Sequence, residues 1–176
     1  MIIDVIDMED PALGRDRKAQ LERLGASSQR LEMYGMSNGV GQMIREIAKL
    51  VSPGRLQVLR IWSHGRAGGQ TISGGHGGEP YRLAHWTGIS IANLGALTPT
   101  LSPLKALFAA GGRAELRGCE VADGSDGEHL LVGLARIWGV PVLAGLATQY
   151  RAEWDGTVVQ ASPTGGLTCV SPTTID

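Results

Sequence analysis

Two residues of reactive type each stand at the end of a short apolar run. The first is His64, in Leu59-Arg60-Ile61-Trp62-Ser63-His64-Gly65. The second is Cys119, in Ala114-Glu115-Leu116-Arg117-Gly118-Cys119, 55 residues further on. A thiol beside an imidazole can pass its proton to the ring and react as a thiolate. The chemistry this pair suits is acyl transfer: Cys119 Sγ attacks a carbonyl and His64 protonates the leaving amine. A developing oxyanion needs donors, and the backbone N–H groups of Gly65 and Cys119 are the natural candidates. Glycine after His64 permits close backbone approach there.

For the pair to meet, the two runs must be neighbouring parallel strands, since open α/β sheets place their sites at the carboxyl ends of the strands. The pattern between them agrees. Met1–Met8 alternates aliphatic and acidic residues and predicts a first strand near an edge, broken at Asp10-Pro11. Arg15–Leu24 suits a short surface helix, and Leu31–Met36 a second strand. Ser37-Asn38-Gly39 opens a helix carrying Met43, Ile44, Ile47, Ala48 and Val51 at helical spacing, stopped by Ser52-Pro53-Gly54. Leu56–Ser63 is apolar on both faces, as a central parallel strand is. A glycine-rich stretch, 65–78, follows and reads as a mobile lid or substrate loop, with a short strand or hairpin at Gln70–Ser73. Thr98–Ala110 predicts a helix closed by Gly111-Gly112, and Ala114–Gly118 the next strand. Asp126 caps a helix over Gly127–Trp138 with Gly139 after it. Val140–Leu146 is a further strand, and Thr157–Ala161 with Leu167–Val170 a terminal hairpin. The expected architecture is a single three-layer α/β/α sandwich on a mostly parallel central sheet.

These motifs resemble the caspase-like cysteine peptidase fold, which includes caspases, gingipains, separases and legumains. The resemblance rests on Trp62-Ser63-His64-Gly65, on Leu116-Arg117-Gly118-Cys119-Glu120-Val121-Ala122, on Gly127 and Leu130-Leu131, and on Gly139-Val140-Pro141-Val142. It spans about residues 56–150 and is nearer to bacterial domains of the DUF4347 and CHAT kind. It implies a His64/Cys119 dyad in that order, without a cofactor. Arg117-Gly118-Cys119-Glu120-Val121 replaces the caspase pentapeptide, so cleavage after Asp is not implied.

Glu120 and Asp123 follow the nucleophile and are candidates for substrate contact, against capping of the next helix. Tyr150 and Trp154 follow the Val140 strand, where this fold builds a substrate wall, against packing at the core or rim. His76 and His85 raise a metal reading, but no tight ligand spacing supports one and none is expected. The loop lacks the Lys-Ser/Thr of a phosphate cradle. His129 and Cys169 read as surface or packing residues.

Composition narrows the alternatives. The chain has 176 residues, 43% of them hydrophobic and 19% charged, with a net charge of −1 and only two cysteines. No basic block points to nucleic acid, no apolar run has the length of a membrane span, and two cysteines make no disulfide framework. The start of the chain lacks the features of a secretory leader, so the default location is the cytoplasm, with signal-independent export or membership of a larger protein left open. The leading expectation is a cysteine endopeptidase acting on a polypeptide. The alternatives are an inactive caspase-like scaffold that binds a protein partner, and another thiol hydrolase or transferase. Oligomeric state is not legible.

Overall fold

Ten strands and four α-helices among the described residues order the chain so that one edge of the main sheet collects the chemically interesting residues. The computed structural model describes residues 1–23, 27–34, 39–72 and 88–172. The elements are β1 (Ile2–Asp7), α1 (Pro11–Arg23), β2 (Gln29–Met33), α2 (Gly39–Leu50), β3 (Leu56–Trp62), β4 (Gly65–Arg66), β5 (Gly69–Thr71), β6 (Gly88–Ser90), α3 (Leu94–Leu101), β7 (Phe108–Leu116), α4 (Gly124–Trp138), β8 (Val142–Gly145), β9 (Val158–Ala161) and β10 (Leu167–Val170). The main sheet runs β10-β9-β8-β7-β3-β1-β2. Its pairs from β2 to β8 are parallel, and β9 and β10 close one edge antiparallel. β1 therefore lies one strand in from the β2 edge, and β3 and β7 are neighbours.

Right-handed crossovers decide which face each helix covers. The connection β1–β2 steps one way along the sheet, while β2–β3, β3–β7 and β7–β8 all step the other way. So α2, α3 and α4 share one face and α1 stands alone on the other. Strand alternation supplies both cores. Ile3, Val5, Leu59, Ile61, Ala114, Leu116, Val142 and Ala144 point into the three-helix face. There they meet Met43 and Ile47 of α2, Leu94 and Leu101 of α3, and Leu130, Leu134 and Trp138 of α4. Each such aliphatic side chain contributes about 1.5–3 kcal/mol by leaving water, so this face carries most of the stability.

The α1 face is built differently. Ile6, Met8, Leu21, Trp62 and Ala152 form a small cluster, with Leu143, Trp154 and Val158 beside it. Between and below them runs a row of alternating charge across four strands, Arg30–Asp4–Arg60–Glu115, set by the strand register. Asp4 is fully buried, accepts a 2.8 Å hydrogen bond from Trp62 Nε1 and also binds the Ser28 hydroxyl. Glu115 holds Arg113 at 2.8 Å and Arg117 at 2.7 Å. Arg117 is in turn flanked by the rings of Trp154 at 3.6 Å and Trp62 at 5.0 Å. A buried charge needs partners of this kind to stay charged.

Several boundaries differ from the sequence expectation. α1 starts at Pro11, four residues early, because Asp10 caps it and Pro11 suits a first helical position. β2 ends at Met33, and the expected helix opening at Ser37-Asn38 lies outside the described residues. Thr98–Ala110 is not one helix. α3 runs from Leu94 to Leu101, Pro103 opens a 3₁₀ turn over Ser102–Ala106, and Phe108–Ala110 already belong to β7. Gly111 and Gly112 therefore lie within β7, where its register with β3 shifts between Leu56 and Val58, and Gly111 takes φ +74°. α4 begins at Gly124 with Asp123, not Asp126, at the N-cap position, while Gly139 ends it at φ +71° as expected.

The lid expected over 65–78 lies partly outside the described residues, and its described part, 65–72, carries β4 and β5. β4, β5 and β6 form a small antiparallel sheet docked on the strand ends. Gln70 Nε2 donates to the Ile61 carbonyl at 2.6 Å and the Thr71 amide to the His64 carbonyl at 3.0 Å. The Gly68 amide donates to the Val121 carbonyl at 3.2 Å. Among the described residues no helix is long and apolar enough to cross a membrane.

Candidate active site

The two strand ends meet through their main chains. Register pairs Ile61 with Leu116, and the Arg117 amide donates to the Ile61 carbonyl at 2.8 Å. Beyond the strand ends it is Gly65, the residue after His64, that stands against the main chain of Cys119. A Cβ on Gly65 would lie 2.5 Å from the Cys119 oxygen and 2.6 Å from its nitrogen, and one on Gly118 would lie 2.9 Å from the Gly65 Cα. Only two glycines allow this approach. Trp62 and Arg117 stand together on the α1 side.

His64 Nε2 lies 3.2 Å from Asp10 Oδ2, in a pair whose side chains are 32% and 39% exposed. The other Asp10 oxygen caps α1, accepting the Ala12 amide at 3.0 Å and the Leu13 amide at 3.2 Å. One carboxylate thus ties the imidazole to a helix N-terminus. Partial burial pushes the Asp10 carboxyl up, but the Leu13 amide, the His64 ring and the Ala12 amide outweigh it and hold the group below its ordinary value.

Cys119 is half-buried, and its Sγ faces the segment after β8. The Gln149 amide donates to Sγ at 3.4 Å, and the Gln149 carbonyl lies 3.9 Å away. Gln149 is itself locked: its side-chain amide donates to the carbonyls of Ala147 and Asp155, both at 2.9 Å, and accepts the Asp155 amide at 3.0 Å. Among the described residues no acceptor binds the Cys119 backbone N–H.

The other expected site residues scatter. Glu120 is exposed in the left-handed region at φ 58° and accepts the Thr148 hydroxyl at 2.9 Å. Its amide donates to the Ala147 carbonyl at 3.0 Å, so this backbone shape fixes the turn after Cys119. Asp123 is exposed at the α4 N-cap position with no side-chain cap bond. Tyr150 is 72% exposed beside Gln149, at the rim of the site. Trp154 is 7% exposed and packs on Arg117, so it is a buried support for a charged side chain and not a wall that a substrate touches. His129 and Cys169 are exposed, and His76 and His85 lie outside the described residues. Among the described residues no three His, Cys, Asp or Glu side chains gather as metal ligands.

The sequence reading missed Asp10 and Gln149. Asp10-Pro11 carried the signature of a helix start, which was read only as a strand break. No known family model, curated protein or solved structure matches this chain.

Proposed function

We propose that this chain is a caspase-like cysteine endopeptidase with Cys119 as nucleophile, His64 as general acid and base, and Asp10 as the residue that orients His64. The observation that carries the reading is the approach of Gly65 to the Cys119 backbone at the carboxyl ends of two adjacent parallel strands. The ordered pair His64 then Cys119, and the anchoring of His64 on a carboxylate, support the same chemistry.

The steps follow from these atoms. His64, with Nε2 on Asp10, uses Nδ1 to take the Cys119 proton. Sγ attacks the scissile carbonyl, and the Gly65 and Cys119 amides receive the oxyanion. The imidazolium gives its proton to the leaving amine as the C–N bond breaks. Water then adds to the thioester, His64 takes its proton, and the thiolate leaves. Tyr150, exposed next to Gln149, is the residue that would offer apolar contact to a substrate side chain.

Cleavage profiling on a broad peptide library, wild type against Cys119→Ala, tests the proposal. Cleavages that vanish in the variant are expected. Identical profiles for the two proteins would overturn it and leave a caspase-like scaffold that binds a protein partner.

A further inference from the structure

The α1 helix reaches the proposed nucleophile as well as the histidine. Arg17, on α1, is only 5% exposed, and its Nη2 donates to the Gln149 carbonyl. Its Nη1 donates to Gln20 Oε1 at 3.2 Å, and Gln20 Nε2 in turn donates to Asp16 at 2.6 Å and to the Tyr150 carbonyl at 3.3 Å. Two residues of one helix, Arg17 and Gln20, therefore hold the carbonyls of 149 and 150. Burial works against the Arg17 charge, and the carboxylates of Asp16 and Asp155 oppose that cost. A guanidinium this little exposed is expensive to keep charged, and it is spent on one carbonyl that itself lies beside the Cys119 sulfur.

The Gln149 peptide groups give Cys119 two opposed neighbours. The amide N–H, 3.4 Å from Sγ, favours a sulfur that accepts a hydrogen bond. The carbonyl, 3.9 Å from Sγ, favours a thiol that donates one. Arg17 binds that carbonyl. It thereby competes with the S–H for the carbonyl lone pairs and sets a positive charge behind a dipole that would repel an anionic sulfur. We propose that Arg17 is a positioning residue for Cys119: by claiming the Gln149 carbonyl it leaves the Gln149 amide as the dominant partner of Sγ and favours the reactive thiolate. This deepens the peptidase reading and rests on Cys119 being its nucleophile. Asp10, capping α1, and Arg17, on α1 seven residues later, would then place the two halves of one dyad from a single helix.

The test is competitive alkylation by iodoacetamide at neutral pH in the full chain. Modification of Cys119 is read by mass spectrometry against the exposed Cys169 as internal reference. Arg17→Gln removes the charge but keeps a donor, and is expected to lower the Cys119/Cys169 rate ratio about tenfold, as loss of one charge-assisted bond would. Arg17→Lys keeps the charge and is expected to hold the ratio within about threefold of wild type, as an ammonium also serves the carbonyl. A ratio within about twofold of wild type in a folded Arg17→Gln protein would overturn the proposal. If neither variant folds, His64→Ala decides, because the imidazole then no longer takes the thiol proton: a Cys119/Cys169 rate ratio still well above 1 supports the role of Arg17, and a ratio near or below 1 overturns it. Peptide cleavage is scored separately. A wild type that cleaves nothing defeats the peptidase reading, while the alkylation ratio still reads Arg17.

Discussion

Replacing Asp10 separates two functions that one carboxylate combines. Its Oδ1 caps α1 and its Oδ2 holds His64, so Asp10→Asn and Asp10→Ala should differ. Asparagine is as good an N-cap as aspartate, so the amide variant keeps the Ala12 and Leu13 bonds. What it loses is the charge facing His64. Two unit charges at this separation interact by about 1 kcal/mol in water and about 4 kcal/mol near a protein surface. With both side chains about a third exposed, solvent screening puts the contribution at the low end, about 1 kcal/mol. Spent on orienting the imidazolium in the transition state, that is roughly a fivefold loss in kcat, with KM little changed. Asp10→Ala loses the cap as well, for about 1 kcal/mol more, and a chain this long loses about 2–4 °C in Tm per kcal/mol. The Ala variant should therefore melt several degrees below the Asn variant while their kcat values fall together. The acid limb gives a further readout. The folded carboxyl is held below its ordinary value, so at acid pH the unfolded chain binds more protons. Its contribution is present above the ordinary carboxylate value and is lost as pH falls through the folded one. Asp10→Asn should flatten that part of the stability–pH curve. Peptide-cleavage kinetics and thermal melts from pH 3 to 7 supply the data. Wild-type kcat in Asp10→Asn would refute the orienting role, and equal melting of the Asn and Ala variants would refute the cap.

Other parts of the frame give further expectations. In Gly65→Ala the new Cβ would meet the main chain of Cys119 at 2.5–2.6 Å, where no flexible side chain can yield. The strand ends must part, costing about 1–3 kcal/mol in stability and most of the proposed peptidase activity, by melt and by cleavage assay; a variant that cleaves as wild type does would show that close approach is not needed. Glu115→Gln leaves Arg117 buried between Trp62 and Trp154 without its main counter-ion, and should cost about 3–5 kcal/mol in chemical denaturation. A loss below about 1 kcal/mol would mean that the two indole rings alone suffice.

Strand periodicity and helix spacing made much of the frame legible. Leu59 and Ile61 alternate with Val58, Arg60 and Trp62, and both sets are apolar enough to require a central strand. Gly139 announces its helix end because only glycine takes φ +71° without strain. Where local signals conflicted, tertiary packing decided. Phe108–Ala110 carry a helical spacing with Leu101 and Leu104, yet the open edge of β3 recruits them into β7. Asp126 and Asp123 are both plausible caps, and the fit of Gly127 against the Ala122 backbone, 2.3 Å for a would-be Cβ, favours the earlier start.

The candidate site divides along the same line. His64 and Cys119 were readable because residue type, strand end and a following or preceding glycine are all local properties. Asp10, Arg17 and Gln149 were not readable, because each acts across 30 to 132 residues of sequence: Asp10 on His64, Gln149 on Cys119, Arg17 on Gln149. Those contacts exist only because β1, β3, β7 and β8 lie side by side in parallel, so that everything following their carboxyl ends converges. Residue types and strand periods thus determined which groups could react. The order of the strands, set by long-range pairing that no local pattern encodes, decided what holds those groups in place.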